Sequence, residues 1–261
     1  MLRRLIYSIL NRVRGHGLSR LPGVSSFIRA FRRNSAVAHG FPIELDPEDS
    51  LGLSLFGTFE PQETALVQSV VKSGDFVVDL GAHIGYYTLL FSKLVGPLGR
   101  VIAFEPAPDF CAILRRNVST NGLTNVTIEN AAVGATSHAG VLHLSANALD
   151  RYTEGRSGSE TVPIEVVALD NYFPAGIKID LLKIDIQGAE AAALRGMERV
   201  LAQSPNVRIL MEFWPRGIRR AGGDPEALLA HLKSLGFIFA KELPGTDGAV
   251  YLYCTKGHVT H

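Results

Sequence analysis

Short apolar runs alternate with segments of helical periodicity along most of the chain after residue 60. Apolar runs that alternate with helices indicate a parallel sheet whose two faces are both covered by helices. The pattern therefore predicts an α/β fold that is doubly wound around a mostly parallel sheet. The predicted strands are 76–80, 101–104, 126–130, 181–184 and 207–213, the predicted helices are 61–71, 86–95, 109–121, 189–202 and 225–235, and 50–57 is assigned to a strand or a loop.

The pattern changes near the C-terminus and in one insert. Residues 237–240 and 249–254 flank the turn sequence LPGTDG, which predicts a β-hairpin. Residues 134–170 form an insert in which a long polar loop is a candidate lid or substrate-contacting segment. The elements predicted inside this insert are the strands 141–144 and 162–167 and, between them, the loop 147–160.

Composition indicates an ordinary globular protein. The 261 residues are 46% hydrophobic and 20% charged, which suits one large domain with its own core, here assigned to 46–261. The net charge of +1 names no partner, and a nucleic-acid partner is not favoured because basic and aromatic residues are not interleaved. Cys111 and Cys254 have neither metal-ligand nor disulfide spacing, which favours a reducing, cytoplasmic location. No apolar run approaches the roughly 20 residues that a transmembrane helix needs.

Positive charge is concentrated at the N-terminus, where residues 1–45 are assigned to a basic arm. Before Glu44 there are eight arginines and no Asp or Glu, and subtracting this +8 from the total of +1 leaves about −7 for the rest. Apolar residues between Leu2 and Val13 recur at helical spacing. Three interpretations stay open: a helix that packs on the domain, which is slightly favoured; a helix that lies on an anionic membrane or guides a phosphorylated substrate; and a cleaved organelle-targeting peptide.

Acidic residues lie at the carboxyl ends of four predicted strands. Asp79, Glu105 and Asp185 lie at the ends of three of them, and Glu212 lies near the end of the fourth. In a doubly wound sheet, ligands bind outside the carboxyl ends of the strands, near the point where the strand order reverses. Several acids at this one edge therefore predict a binding site.

The sequence VVDLGAHIG, which begins with the first of these strands, predicts a ligand that contains a nucleoside. Gly81 and Gly85 allow the backbone to approach a ligand closely where the turn enters a helix. Glu105 follows Gly85 by 20 residues, a spacing at which an acid accepts hydrogen bonds from ribose hydroxyls. The G-x-G-x-x-G pattern of dinucleotide sites is absent. Asp79 also fits a positively charged ligand group better than a phosphate.

VVDLGAHIG and FEPAPD resemble motifs of S-adenosylmethionine-dependent methyltransferases, and the longer pattern is similar to the FkbM methyltransferase family. The resemblance spans residues 74–215, and KIDIQGAE is its most specific part. It implies a Rossmann-like class I methyltransferase fold with seven strands, S-adenosylmethionine as cofactor, and a small-molecule or glycan acceptor. The matching segments are GAHIGYYTLLFSKLVGPLGRVIAFEP, RRNVSTNGLTNVTIENAAVG, LLKIDIQGAEAAALRG and ILMEFWP.

The resemblance also implies roles for individual residues. Asp79 and Gly81 would hold the methionine end of the cofactor, and Glu105 would bind both ribose hydroxyls. Asn130 and Ala131 would flank the adenine.

Two residues of the same turn complete the predicted cofactor site. Gly85 would allow the close turn. His83 stands where the family usually has Asn, so its larger ring would either clash with the cofactor or donate a similar hydrogen bond. Cofactor affinity, rather than the fold, depends on which of these holds.

Methyl transfer to a hydroxyl requires help, because an alcohol is a poor nucleophile at neutral pH. Asp185 is expected to face the methyl group, and Glu212 ends the neighbouring strand. We hypothesise that Asp185 is the base, or that Asp185 and Glu212 share a divalent ion such as Mg²⁺. The competing interpretation is that Asp185 caps the helix that begins near Gly188.

Three functions are compatible with the sequence. The first is an O-methyltransferase that acts on a sugar, a glycolipid or a secondary metabolite, as the resemblance implies. The second is an N-methyltransferase, which is less favoured because KIDIQG stands where an Asn/Asp-Pro-Pro-Tyr motif would be expected. The third is a non-catalytic nucleoside-binding module, for which His83 is the only support.

Overall fold

The alternating strands and helices form one large sheet with helices on both faces. The computed structural model describes residues 33–144, 160–245 and 248–257. Within them the strands are β1 (Ser35–Ala38), β2 (Phe41–Glu44), β3 (Phe76–Leu80), β4 (Arg100–Phe104), β5 (Val126–Glu129), β6 (Ala131–Val133), β7 (His138–His143), β8 (Thr161–Val167), β9 (Leu181–Ile184), β10 (Arg208–Phe213), β11 (Phe237–Pro244) and β12 (Val250–Lys256). The helices are α1 (Leu53–Phe56), α2 (Pro61–Val70), α3 (Tyr86–Val95), α4 (Pro108–Thr120), α5 (Leu169–Tyr172), α6 (Glu190–Arg195), α7 (Glu198–Gln203), α8 (Pro215–Arg220) and α9 (Pro225–Ser234).

Seven of the strands form the central sheet, in the order β11-β12-β10-β9-β3-β4-β5. The five strands from β10 to β5 are parallel, whereas β12 is antiparallel to both of its neighbours. The chain first builds outward from β3 through β4 and β5, and then adds β9 and β10 on the other side of β3. The order therefore reverses between β3 and β9, where a ligand site is expected. The predicted doubly wound, mostly parallel, seven-stranded α/β sheet with a C-terminal hairpin is confirmed.

The core lies on both faces of this sheet, because its central strands are apolar on both sides. Every residue of β3 and β9 is buried. Val77 and Leu181 pack with the helices of one face, and Val78 and Leu182 pack with those of the other. Two polar residues, Asp79 and Lys183, interrupt these runs and are buried as well.

Two predicted elements are corrected by the structure. Residues 50–57, assigned to a strand or a loop, contain the short helix α1, because the Asp49 carboxylate accepts hydrogen bonds from the backbone N–H groups of Leu53 and Ser54. The single helix predicted over 189–202 is two helices, α6 and α7, with Gly196 at the break. A Cβ on Gly196 would overlap the backbone of Gly134, so close packing of the two segments explains the break.

The insert and the N-terminal region add two smaller sheets. β7 and β8 lie where the two strands of the insert were predicted, and β6 joins them in the order β6-β8-β7. β1 and β2 form a hairpin that Glu44 ties to α4 through a bidentate ion pair with Arg116, at 2.8 Å. The predicted arm before residue 33 and most of the polar loop of the insert lie outside the described residues. No helix in the described part of the chain combines the length and the apolar character needed to span a membrane.

Candidate active site

A cavity of about 470 Å³ lies at the carboxyl ends of β3, β4, β9 and β10. Each of these four ends contributes one acid to its wall, namely Asp79, Glu105, Asp185 and Glu212. The acids that the sequence placed at strand ends therefore share a single cavity. The wall has two ends that differ in character, one beside β3 and β4 and the other beside β9, β10 and β12.

The first end contains the tight turn between β3 and α3. Gly81 has a φ of +82°, and a Cβ there would overlap the carbonyl oxygen of Asp185. Gly85 has a φ of +98°, and a Cβ there would lie 2.6 Å from Leu114 Cδ1. Gly81 lines the cavity, whereas Gly85 meets the core side of the turn. Both positions require glycine, but only Gly81 is placed to approach a ligand.

Asp79 is fully buried at the floor of the cavity. Its Oδ2 accepts a hydrogen bond from Thr88 Oγ1 at 2.7 Å, and its Oδ1 has no hydrogen-bond partner among the described residues. Burial raises the pKa of this carboxyl, although Lys183, its register partner on β9, and Thr88 act in the opposite direction. A buried acceptor atom without a partner is costly, so Oδ1 is suited to a donor that a ligand supplies.

Glu105 is held at the end of β4 by two backbone N–H groups. His83 donates to Oε2 at 2.8 Å, and Ala107 donates to Oε1 at 2.9 Å. Glu105 is 5% exposed and lines the cavity. The backbone thereby fixes the orientation of an acceptor pair that can receive two adjacent hydroxyl groups.

His83 lies in the turn with a left-handed backbone, at a φ of +52°. Its ring centroid is 4.0 Å from that of Phe110, and its Nε2 is 3.4 Å from Ser50 Oγ. The contact with Glu105 is made by the backbone of this residue, so it does not depend on the side chain. The ring lines the cavity, packed against Phe110.

The two residues predicted to flank an adenine have different positions. Ala131 is buried and lines the cavity. The Asn130 side chain is turned away toward the backbone, where its amide donates to the carbonyl oxygens of Glu105 at 2.8 Å and Pro106 at 3.1 Å. Asn130 is thus placed to hold the segment after β4 rather than to contact a ligand in the cavity.

The second end of the cavity contains a chain of hydrogen bonds between β9 and β10. Lys183 Nζ lies 3.0 Å from Asp185 Oδ2, and both side chains are largely enclosed, at 3% and 17% exposure. The Gln187 amide donates to Asp185 Oδ1 at 3.1 Å and to Glu212 Oε2 at 3.0 Å. Gln187 therefore connects the two acids that the sequence proposed as catalytic residues.

Glu60 also lines the cavity at this end. It precedes α2 with a φ of +43°, an uncommon conformation for a residue other than glycine. Its carboxylate accepts hydrogen bonds from Tyr87 Oη on α3, at 2.9 Å, and from Tyr251 Oη on β12. Lys183 Nζ lies 4.7 Å from the centroid of the Tyr87 ring.

Tyr251 closes the arrangement because it is the register partner of Glu212 across β10 and β12. We call the resulting closed set of polar side chains the polar ring; its members are Glu60, Tyr87, Lys183, Asp185, Gln187, Glu212 and Tyr251. All seven line the cavity. Sequence reasoning missed Glu60 and Tyr251, which lie outside the motifs that it used, and it gave no role to Tyr87, which lies inside the matching segment that begins GAHIGYY.

The charges of the polar ring are unequal. Burial would raise the pKa of Asp185, but the Lys183 ammonium outweighs it and lowers that pKa, so Asp185 is ionised at neutral pH. Burial, followed by the negative charge of Asp185, raises the pKa of Glu212 far above its usual range, so Glu212 is neutral at pH 7. Burial and the charge of Asp185 also raise the pKa of Glu60, to about 7. The ring therefore contains one firmly ionised, one protonated and one titrating carboxyl.

The structure bears on two roles considered for Asp185. The helix after β9 begins at Glu190, and no side chain caps its N-terminus. The Asp185 carboxylate instead contacts Lys183 and Gln187, so it is not that helix's cap. In the described part of the chain, no three His, Cys, Asp or Glu side chains are grouped as they would be around a metal ion.

The chain is similar to known methyltransferases. A family model described as the methyltransferase FkbM domain matches residues 79–239. Methyltransferase sdnD of Sordaria araneosa is 30% identical over 185 residues, which are 57% of this chain and 70% of that protein. Methyltransferase 1 of Beauveria bassiana is 27% identical over 146 residues, or 47% of this chain and 58% of that protein. A solved structure of methyltransferase FkbM from Methylobacillus flagellatus is 15% identical with a TM-score of 0.45, and the match covers 92% of this chain and 60% of that one.

Proposed function

The chain belongs to the FkbM methyltransferase family, and from this premise we propose that it transfers the methyl group of S-adenosylmethionine to a hydroxyl oxygen of a sugar, a glycolipid or another small molecule. The observation that supports a hydroxyl oxygen as the methyl acceptor is the polar ring. It offers an ionised carboxylate and a titrating one, which can accept a hydroxyl proton, beside the strand ends that hold the cofactor.

The residues of the first cavity end fit S-adenosylmethionine. Asp79 Oδ1, which has no hydrogen-bond partner among the described residues, suits the ammonium group of the methionine part. The two oxygens of Glu105, oriented by backbone N–H groups, suit the two ribose hydroxyls. Phe110 and Ala131 supply apolar surface for the adenine. Bound there, S-adenosylmethionine supplies a methyl group that its sulfonium already activates.

The remaining chemistry belongs to the acceptor and to the polar ring. Asp185, kept ionised by Lys183, accepts a hydrogen bond from the acceptor hydroxyl and orients its oxygen. Glu212, protonated at neutral pH, donates a hydrogen bond to the Asp185 carboxylate. These two residues remain the proposed catalytic pair, and the polar ring adds the groups that hold them.

A divalent ion shared by Asp185 and Glu212 does not fit this set of donors. The Lys183 ammonium already lies against Asp185 Oδ2. Glu212 is neutral, and the NH₂ group of Gln187 points at both acids, where a cation would need oxygen ligands. No step is therefore assigned to Mg²⁺, and we expect a chelator to leave turnover unchanged.

The direct test supplies the purified protein with S-adenosylmethionine carrying a ¹³C-methyl group and with a metabolite and glycan extract. Carbon NMR of the products separates O-methyl from N-methyl carbons, and a parallel sample contains a chelator. We expect O-methyl products in both samples. If only N-methyl products formed, the acceptor atom would be nitrogen rather than oxygen. If the chelator abolished product formation, a metal ion would be required for turnover.

The Asp185→Asn variant tests the catalytic pair, assayed with the extract in which the preceding experiment finds methylated products. We expect turnover to fall by about 100-fold or more, in the range that removal of a positioned catalytic group produces, while affinity for S-adenosylhomocysteine is kept. Asp180→Asn is the matched control, because Asp180 lies at the opposite end of β3 and accepts the Phe76 N–H. Unchanged turnover in Asp185→Asn would remove Asp185 from the mechanism.

A further inference from the structure

Glu60 has a setting that a merely structural carboxylate does not need. It is partly exposed, and it lines the cavity. The charges of Asp185 and Lys183 both affect the pKa of Glu60, but Glu60 forms no ion pair with any of the described residues. Its partners are instead two neutral hydroxyl groups, from Tyr87 and Tyr251. Its left-handed backbone keeps the carboxylate facing the cavity at an energetic cost that functional sites often carry.

We propose that Glu60 is the residue that takes the proton from the acceptor hydroxyl, with Tyr87 and Tyr251 as the positioning residues that aim its carboxylate. The proposal rests on the proposed O-methyl transfer and adds a residue to it. Asp185 is the weaker proton acceptor of the two, because Lys183 lies against it, whereas the tyrosines leave Glu60 able to gain a proton and stay hydrogen-bonded.

The proton and electron balance of the step is complete. The acceptor oxygen uses a lone pair to bond the methyl carbon, the sulfur keeps the electron pair of the broken carbon–sulfur bond, and the hydroxyl proton passes to Glu60. The neutral Glu60 then returns the proton to water when the product leaves. No other reactant is required.

The surroundings of Glu60 allow this cycle near neutral pH. The groups that face it are Lys183 on β9, Asp185 just after β9, Glu212 on β10, Tyr251 on β12 and Tyr87 on α3. Burial and Asp185 together raise the pKa of Glu60 to about 7, against the opposing effects of Lys183 and the tyrosines. The carboxylate form therefore becomes available as pH rises through about 7, and kcat/KM is expected to rise over the same interval.

The test does not need the natural acceptor. Sinefungin carries an ammonium group where S-adenosylmethionine carries its methylsulfonium, and S-adenosylhomocysteine has no charge there, so the ratio of their affinities reports the charge that faces the methyl position. We expect this ratio, measured by calorimetry, to rise by about tenfold or more from about pH 5.5 to about pH 8 as Glu60 ionises, since a nearby opposite charge shifts binding by at least that factor. In Glu60→Gln the rise should be lost.

Two further variants make the outcome decisive. Glu190→Gln is the matched control: Glu190 is buried, its pKa is raised by burial to about 7, and it accepts the Gly188 N–H, but it does not line the cavity. In this control variant the affinity ratio should still rise with pH. Tyr251→Phe removes a donor that stabilises the Glu60 carboxylate, so the midpoint of the rise in the affinity ratio should move to higher pH. A hydrogen bond with only a structural role would not produce this shift.

The possible failures are distinguishable. A rise that persists in Glu60→Gln, or a midpoint that does not move in Tyr251→Phe, would overturn the role of Glu60 and leave the methyltransferase intact. If the unaltered protein bound neither compound at any pH, the cofactor site itself would be wrong. If Glu60→Gln failed to fold by circular dichroism, Tyr251→Phe alone would decide the question.

Discussion

Replacing Gly81 with alanine should destabilise the fold and weaken cofactor binding, because Gly81 lies where the end of β3 meets the segment after β9. A Cβ at this position would overlap the Asp185 carbonyl oxygen and lie 2.9 Å from its carbonyl carbon. Ile186 Cγ2 would be 3.4 Å away. The carbonyl belongs to the backbone, so no side-chain rotation relieves the contact. The strand ends must separate, and Asp185 moves with one of them.

The magnitude has two contributions. An L-residue in the left-handed region, here at a φ of +82°, costs about 1–2 kcal/mol. Forcing extra volume into a packed site adds about 1–3 kcal/mol. A total near 3 kcal/mol would lower the Tm by roughly 6–12 °C in a domain of this size.

Gly74→Ala separates the two contributions. Gly74 has a φ of +87°, and a Cβ there would meet no atom within 4 Å, so this variant carries the backbone strain alone. We expect urea denaturation to show Gly81→Ala to be less stable than Gly74→Ala by about 1–3 kcal/mol. Calorimetry should show a loss of affinity for S-adenosylhomocysteine only in Gly81→Ala. Equal losses of stability in the two variants, with equal affinities, would refute the proposed contact.

Two further substitutions test the two ends of the cavity. Lys183→Met leaves the Asp185 charge without its partner and should cost about 3–5 kcal/mol of unfolding free energy at neutral pH. The cost should shrink in acid, where Asp185 takes up a proton, and an equal cost in urea titrations at both pH values would contradict this. His83→Asn should keep the affinity for S-adenosylhomocysteine within about threefold, because Asn also tolerates the left-handed backbone and the contact with Glu105 comes from the N–H group. A much larger loss in calorimetry would show that the His83 ring itself binds the cofactor.

The first cavity end could be predicted from the sequence because its residues are close together along the chain. Asp79 lies near the end of β3, Gly81 and His83 lie in the turn that follows, and Glu105 follows the next strand. Apolar periodicity located both strands, and parallel pairing brings their carboxyl ends to the same edge. The orientation of the Asn130 side chain could not be predicted. Its amide donates to carbonyl oxygens of the segment after β4, and the sequence does not reveal in which direction the side chain turns.

The helix between β9 and β10 shows a different limit. Periodicity over 189–202 is compatible with one continuous helix, and the local sequence contains no proline to end it. The break at Gly196 arises from close packing on Gly134, which is 62 residues earlier in the chain and belongs to the insert. Tertiary packing here overrides local propensity.

The polar ring could be predicted only in part, because Glu60, Tyr87 and Tyr251 are distant in sequence from the acids of β9 and β10 and meet them only through the order and direction of the strands. Glu60 and Tyr251 are 191 residues apart. β12 enters the sheet beside β10 but runs antiparallel to it, so the beginning of β12, rather than its end, lies at the carboxyl edge of the parallel strands. In a parallel arrangement Lys256 would occupy that edge, and Tyr251 would reach neither Glu212 nor Glu60. The reversed final hairpin thus contributes to the end of the cavity where we place the acceptor, whereas the end where we propose that the cofactor binds is built around β3 and β4.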